Sequence, residues 1–205
     1  MKLVGICLIR LEQIRPAGLP GLIGLSSENA AHRIAVEWTD AGSHREGVFI
    51  PRRDTGALLN RIAGGRIFPG EHHAARFCVV DSHGHIELSM KSLDGLVSVR
   101  EVSNEHDALL ETSCFRSLPE ASAFFEAGSL GYSVTREDIK LDGLRLRTLE
   151  WRVGAFAVTD VFSSYFADRH RFPKGLIEFD HALVMRDLPH EWREADDLYA
   201  LPQAA

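Results

Sequence analysis

The chain has 205 residues, 45% of them hydrophobic, and a formal net charge of −6. That length suits one sizeable core and a single domain over residues 1–205. The negative balance argues against nucleic acid, whose counterions only dense positive charge displaces. No apolar run approaches the roughly 20 residues of a transmembrane helix, so no membrane partner is expected.

The opening run MKLVGICLIRLEQIR is interrupted by Arg10 and Glu12 and lacks a small-residue cleavage site, so it reads as a first strand rather than a signal. RPAGLPGLIGL, residues 15–25, is an irregular connection by its proline and glycine content. HRIAVEW then alternates, with His32, Ile34, Val36 and Trp38 on one face of a half-buried strand. DAGSHREG turns the chain into GVFIP, a strand that Pro51 is expected to stop because proline gives the ladder no donor. Asp54 or Thr55 then caps a short helix with Leu58 and Ile62 on one face and Gly64-Gly65 at its end.

AARFCVV and HIELSM flank a hairpin turn at Asp81-Ser82-His83-Gly84, and Asp94-Gly95 turns the chain again into LVSVREV. Ser117-Leu118-Pro119-Glu120 is a capping box that opens a second helix, closed by Gly128. LRLRTLEW, AFAVTDVFSS and LIEFDHALVM complete about eight or nine strands and two short helices. With no βαβ alternation, the predicted class is β-rich α+β, an antiparallel closed barrel or cone.

The segment from Gly47 to Val80 reads as strand, short helix, strand, with its chemistry at the two joints. Arg52, Arg53 and Asp54 occupy the first joint, and Glu71, His72 and His73 the second. A guanidinium fork at a strand end matches a carboxylate, although Asp54 can equally cap the helix while the arginines meet water or pair with nearby acids. Adjacent residues on an extended chain point opposite ways, so at most one of Arg52 and Arg53 is expected to face a pocket. The same alternation separates His72 from His73 and speaks against a shared metal. Glu71 beside an imidazole offers acid–base chemistry.

Tyr132, after the second helix, either projects its hydroxyl into the pocket or packs. Asp180-His181 reads as a satisfied core histidine, with an acid–base pair as the alternative. His83 and His85 have ligand-like spacing but fall in a turn. Cys7, Cys78 and Cys114 read as buried thiols of a reducing cytoplasm. No phosphate loop, nucleophile elbow or paired-cysteine spacing is present, so neither a metal nor a cofactor is predicted.

Three stretches, in this order, carry a resemblance: GGRIFPGEHHAARFCV (64–79), SLPEASAFFEAGSLGYS (117–133) leading to LRLRTLEWRV, and IEFDHALVMRDLP (177–189). Over roughly residues 47–190 the chain resembles the acetoacetate decarboxylase-like superfamily, in particular an uncharacterised bacterial branch. The resemblance implies a closed β-cone around an internal cavity and assembly into homo-oligomers. It also marks a departure. The family's aromatic-Pro-Lys-Lys run, whose lysine forms a Schiff base, meets Phe68-Pro69-Gly70-Glu71 here. Neither Gly70 nor Glu71 has an amine, and guanidinium stays protonated, so no imine forms at this place. Lys174, in Phe172-Pro173-Lys174-Gly175, stands at the wrong point in the chain order and reads as a turn residue.

The function expected is a small-molecule binding protein, for a carboxylate, or a lysine-independent enzyme. Arg52 or Arg53 would hold the ligand beside Asp54 and Tyr132, and Glu71 with His72 or His73 would move protons. The alternative is a non-catalytic sensor or a structural oligomer.

Overall fold

The computed structural model describes residues 3–14, 25–40, 42–57, 70–137 and 139–199. The predicted helix carrying Leu58 and Ile62, the Phe68-Pro69 pair and most of the connection at 15–25 lie outside these residues. In chain order the strands are β1 (Val4–Ile14), β2 (Leu25–Asp40), β3 (Ser43–Thr55), β4 (His72–Ser82), β5 (His85–Ser92) and β6 (Ser98–His106). Helix α1 (Leu118–Ala127) precedes β7 (Leu130–Val134), β8 (Lys140–Thr148) and β9 (Gly154–Ser163). The four-residue α2 (Ser164–Ala167), β10 (Ala182–Val184) and β11 (His190–Tyr199) complete the described set.

The strands form one mixed sheet, and their contacts divide the chain into two compact units. The first comprises residues 1–75, 128–147 and 191–205; the second comprises 76–127 and 148–190.

In the first unit β1, β2 and β3 pair antiparallel in sequence order. The other edge of β3 is shared by two parallel neighbours. Val48–Ile50 pair with Gly131–Ser133 of β7, and Arg53–Thr55 pair with His72–Ala74 of β4. A parallel partner cannot be reached by a tight turn, so the chain from Gly56 to Glu71 serves as the crossover between β3 and β4. The second unit is a simpler antiparallel run in the order β10, β9, β6, β5, β4.

Two expectations are corrected here. Among the described residues the sheet does not close into a barrel: its order ends at β10 and β11, with β1 and β2 branching off at β3. The parallel pairings explain the difference, because a strand flanked on one edge by two partners diverts the sheet instead of continuing one ring. Pro51 also does not stop its strand. β3 carries one residue more than β2 between the pairs His32↔Arg52 and Ile34↔Phe49, and Pro51 lies in that bulge, where no ladder donor is required.

Local chemistry accounts for the turns. His83 and Gly84 both have positive φ, 51° and 78°, the backbone of a two-residue hairpin whose twist suits its strands. Ser117 Oγ accepts the Glu120 amide at 3.3 Å, while Glu120 Oε2 accepts the Arg116 amide at 2.8 Å and starts α1. The second unit has an apolar interior of Leu88, Met90, Val97, Val99, Phe115, Ala121, Ala155 and Phe156. The first unit buries His32, Arg52, Arg53, Asp54, Thr55 and Ser133 beside Leu11, Ala30, Ala31, Ile50, Tyr132 and Leu144. Ionisable groups are rarely buried without a reason, and here they gather where β3 changes partner.

Candidate functional site

The two joints separated by the crossover lie side by side. In the β3–β4 register Arg53 pairs with His72 and Asp54 with His73. Directly opposed residues share a sheet face, which sorts the group into two sets. One face carries the row Cys7, Ala31, Arg53, His72 across β1 to β4. The other carries Leu8, Ala30, Asp54, His73, with His32 and Arg52 paired beside them.

On the second face, Arg52 closes on Asp54. Its Nη2 donates to Asp54 Oδ1 at 2.8 Å and its Nε donates to the same carboxylate at 3.1 and 3.2 Å. Asp54 and His32 are wholly buried. Asp54 is therefore committed to Arg52, while Thr55 Oγ1 accepts the Ala57 amide at 3.2 Å. Both arginines are buried rather than solvated, and Arg52 takes the other course expected, pairing with a nearby acid.

Arg53 has different company. Its Nε donates to Ser133 Oγ at 2.9 Å, and no carboxylate pairs with it among the described residues. It is only 9% exposed. Burial, and then the positive charge of Arg33, push its pKa down to about 10. A small, partly open cavity of about 30 Å³ lies against it, lined also by Ile9, Asn29, Ala31, Asp54, His72 and Trp192.

His72 Nδ1 faces the Gly70 carbonyl oxygen at 3.2 Å, so the ring proton sits on Nδ1 and Nε2 is the acceptor. Burial, and then the charge of Arg53, hold its pKa down to about 4. The imidazole is thus neutral at physiological pH. Gly70 sets this approach. Its φ of 83° suits glycine, and a Cβ there would stand 2.5 Å from Ser133 Cβ. Its amide donates to Asp142 Oδ2 at 2.9 Å, and the next amide, of Glu71, donates to Val134 O at 2.9 Å. Asp142 and Asp197 in turn both hold Lys140, each at 3.1 Å.

The remaining predicted residues are placed as follows. Of Glu71, His72 and His73, only His72 lines the cavity. The Glu71 carboxylate is about a third exposed, with Arg136 Nε 3.8 Å away. Tyr132 is buried and packs edge-on against Trp38, ring centroids 5.4 Å apart. Sequence reasoning missed Ser133, Asn29 and Trp192. Ser133 and Asn29 are small polar residues inside alternating runs, and Trp192 lies on a strand, β11, half of whose residues are charged.

A separate cluster lies in the second unit. Asp180 accepts from the Cys114 amide at 2.7 Å, from Ser113 Oγ at 2.9 Å and from Cys114 Sγ at 3.3 Å, and it also pairs with His181 Nδ1. Burial works against its ionisation, but the bonds from His181, Cys114 and Ser113 outweigh it and hold the pKa near 2. The His181 ring packs against Phe115 and Phe125, which fits a satisfied core histidine. Burial and the neighbouring Asp180 raise the Cys114 pKa, the reverse of what a nucleophile needs. Cys78 and Cys114 are exposed, not buried as expected, and all three thiols are free.

Among the described residues one trio, Glu37, His44 and Glu46, brings possible metal-ligand atoms within 4.8 Å of one another. All three are exposed near the β2–β3 turn, and exposed acidic groups gather this way without an ion. No helix among the described residues is long and apolar enough to cross a membrane. Comparison with protein-family models, curated proteins and solved structures finds no match to this chain.

Proposed function

We propose that the first unit binds a small organic anion, most simply a carboxylate, through the guanidinium of Arg53. The observation that carries this reading is a cation that is nine-tenths buried and that no acid pairs with among the described residues, the adjacent Asp54 being closed on Arg52. A buried charge without a counterion costs several kcal/mol, of order, and an anion from solution offsets that cost. The fork shape and the hydrogen bond from Nε to Ser133 fix the plane in which two oxygens would be met. Ala31 keeps the row open between Arg53 and Cys7.

The cavity of about 30 Å³ exceeds the roughly 10–15 Å³ that one water occupies by the same measure. That is room for a carboxylate head, with the body of the ligand outside. Neutral His72 supplies polarity without a competing charge. Binding is favoured over proton transfer by two observations. A base protonated only near pH 4 is poorly matched to neutral conditions, and Glu71 lies outside the cavity lining.

Formate and acetate should raise the thermal midpoint, since a ligand that prefers the folded state stabilises it by mass action. In Arg53→Gln that rise should vanish. A native chain indifferent to both acids, or a full rise in the variant, would sink the reading.

Descent from the acetoacetate decarboxylase-like superfamily is part of the same proposal. It is supported by the order along the chain of three stretches, 64–79, 117–133 and 177–189. A cytoplasmic setting is supported by the three free thiols. The homo-oligomer belongs to that proposed descent. A sensor without catalysis is the simplest form of the reading.

A further inference from the structure

We infer that the anion is doubly charged, with its second negative group met by Arg33. This deepens the Arg53 reading and rests on it. Arg33 lies two residues beyond Ala31 on β2, and Ala31 is the direct partner of Arg53. Alternation puts Ala31 and Arg33 on the same face, so Arg33 and Arg53 are diagonal neighbours across β2 and β3. Side chains of this length reach each other across such a diagonal.

Arg33 repeats the anomaly of Arg53. Its Nε is buried with no hydrogen-bond partner, and no carboxylate pairs with it among the described residues. The two guanidiniums are close enough for the charge of Arg33 to oppose protonation of Arg53. Ala31 adjoins both on this face, with Cys7 beyond it on β1. Like charges set side by side on a sheet destabilise it. One monoanion relieves half of that repulsion, whereas a dianion spanning both forks turns the whole arrangement into a pair of charge-assisted contacts. A short dicarboxylate and a phosphate group share this chemistry.

The test measures binding to the native chain, Arg33→Gln and Arg33→Lys at pH 8 and constant ionic strength, with acetate, malonate, succinate and inorganic phosphate as probes. Constant ionic strength matters because partly exposed charges are screened. At least one dianion should bind the native chain about tenfold more tightly than acetate, a gap of about 1.4 kcal/mol. Arg33→Gln should remove that advantage while leaving acetate unchanged, and Arg33→Lys should keep most of it. A preference for malonate or succinate over phosphate assigns a dicarboxylate, and the opposite order assigns a phosphate; either supports the inference. Equal binding of acetate and every dianion by the native chain overturns the second charge and leaves the Arg53 site standing. So does an Arg33→Gln variant that loses acetate and dianions alike. If no probe, acetate included, binds the native chain, the Arg53 reading itself falls.

Discussion

Arg52 and Arg53 are consecutive on one strand and equally buried, yet the two faces of β3 treat them in opposite ways. On one face Arg52 meets Asp54 with three short contacts, and the pair lies beside fully buried His32. On the other, Arg53 has a serine hydroxyl, a neutral imidazole and a second guanidinium around it, and no acid pairs with it among the described residues. The same side chain is a completed ion pair in one setting and an open valence in the other. Burial of an arginine therefore says little about its role until its counterion has been found.

The largest effect that can break this comparison comes from the completed side. Arg52→Met leaves the Asp54 carboxylate, wholly buried, short of the cation it faces, and should cost about 3–5 kcal/mol in chemical denaturation. A loss below about 1 kcal/mol would mean that the two arginines are not different in kind.

Next in size is the acid response of His72. Its pKa is 6.5 in the ordinary state and about 4 in the fold, so below pH 6.5 the unfolded chain takes up a proton that the folded chain refuses. Stability from this group is complete above pH 6.5 and is lost as pH falls towards 4, by at most about 3 kcal/mol. His72→Gln should flatten denaturation free energy over that window. Asp180, whose folded pKa is near 2 against an ordinary 3.8, keeps its contribution until pH drops below 3.8 and loses it towards 2. A His72→Gln profile as steep between pH 6.5 and 4 as the native one would remove the neutral-imidazole assignment.

The smallest effect carries the opposite sign. Arg53→Met removes an uncompensated cation, and in anion-free buffer it should raise stability by about 1–3 kcal/mol. A destabilisation of that size would show that the guanidinium is structural.

Much of this arrangement was legible in particular residues. The hairpin at His83-Gly84 follows from turn chemistry, and the capping serine of α1 from its spacing to Glu120. Charge crowds at both ends of the 56–71 segment, and the register pairs Arg53 with His72 and Asp54 with His73, because a crossover returns its ends to the same level of the sheet. What the sequence concealed was pairing. Alternation tells which residues share a face of one strand but not which strand lies alongside, so the double parallel edge of β3 was invisible and a closed ring was expected. The bulge at Pro51 was hidden for a related reason: proline marks a missing donor, and only the register shows whether a donor was needed. Charge alone could not divide Arg52 from Arg53, since the dividing fact is the i, i+2 placement of Asp54 on one face.

The shared edge of β3 also has a bearing on time. Its β4 neighbour arrives after a crossover and its β7 neighbour only some eighty residues downstream, where Ser133 waits for Arg53. Contacts so remote along the chain form late, because the intervening loop must surrender its freedom before they repay it. During synthesis the emerging β1–β3 meander carries Arg53 without Ser133 until β7 has been translated, so the surroundings of this guanidinium are completed late.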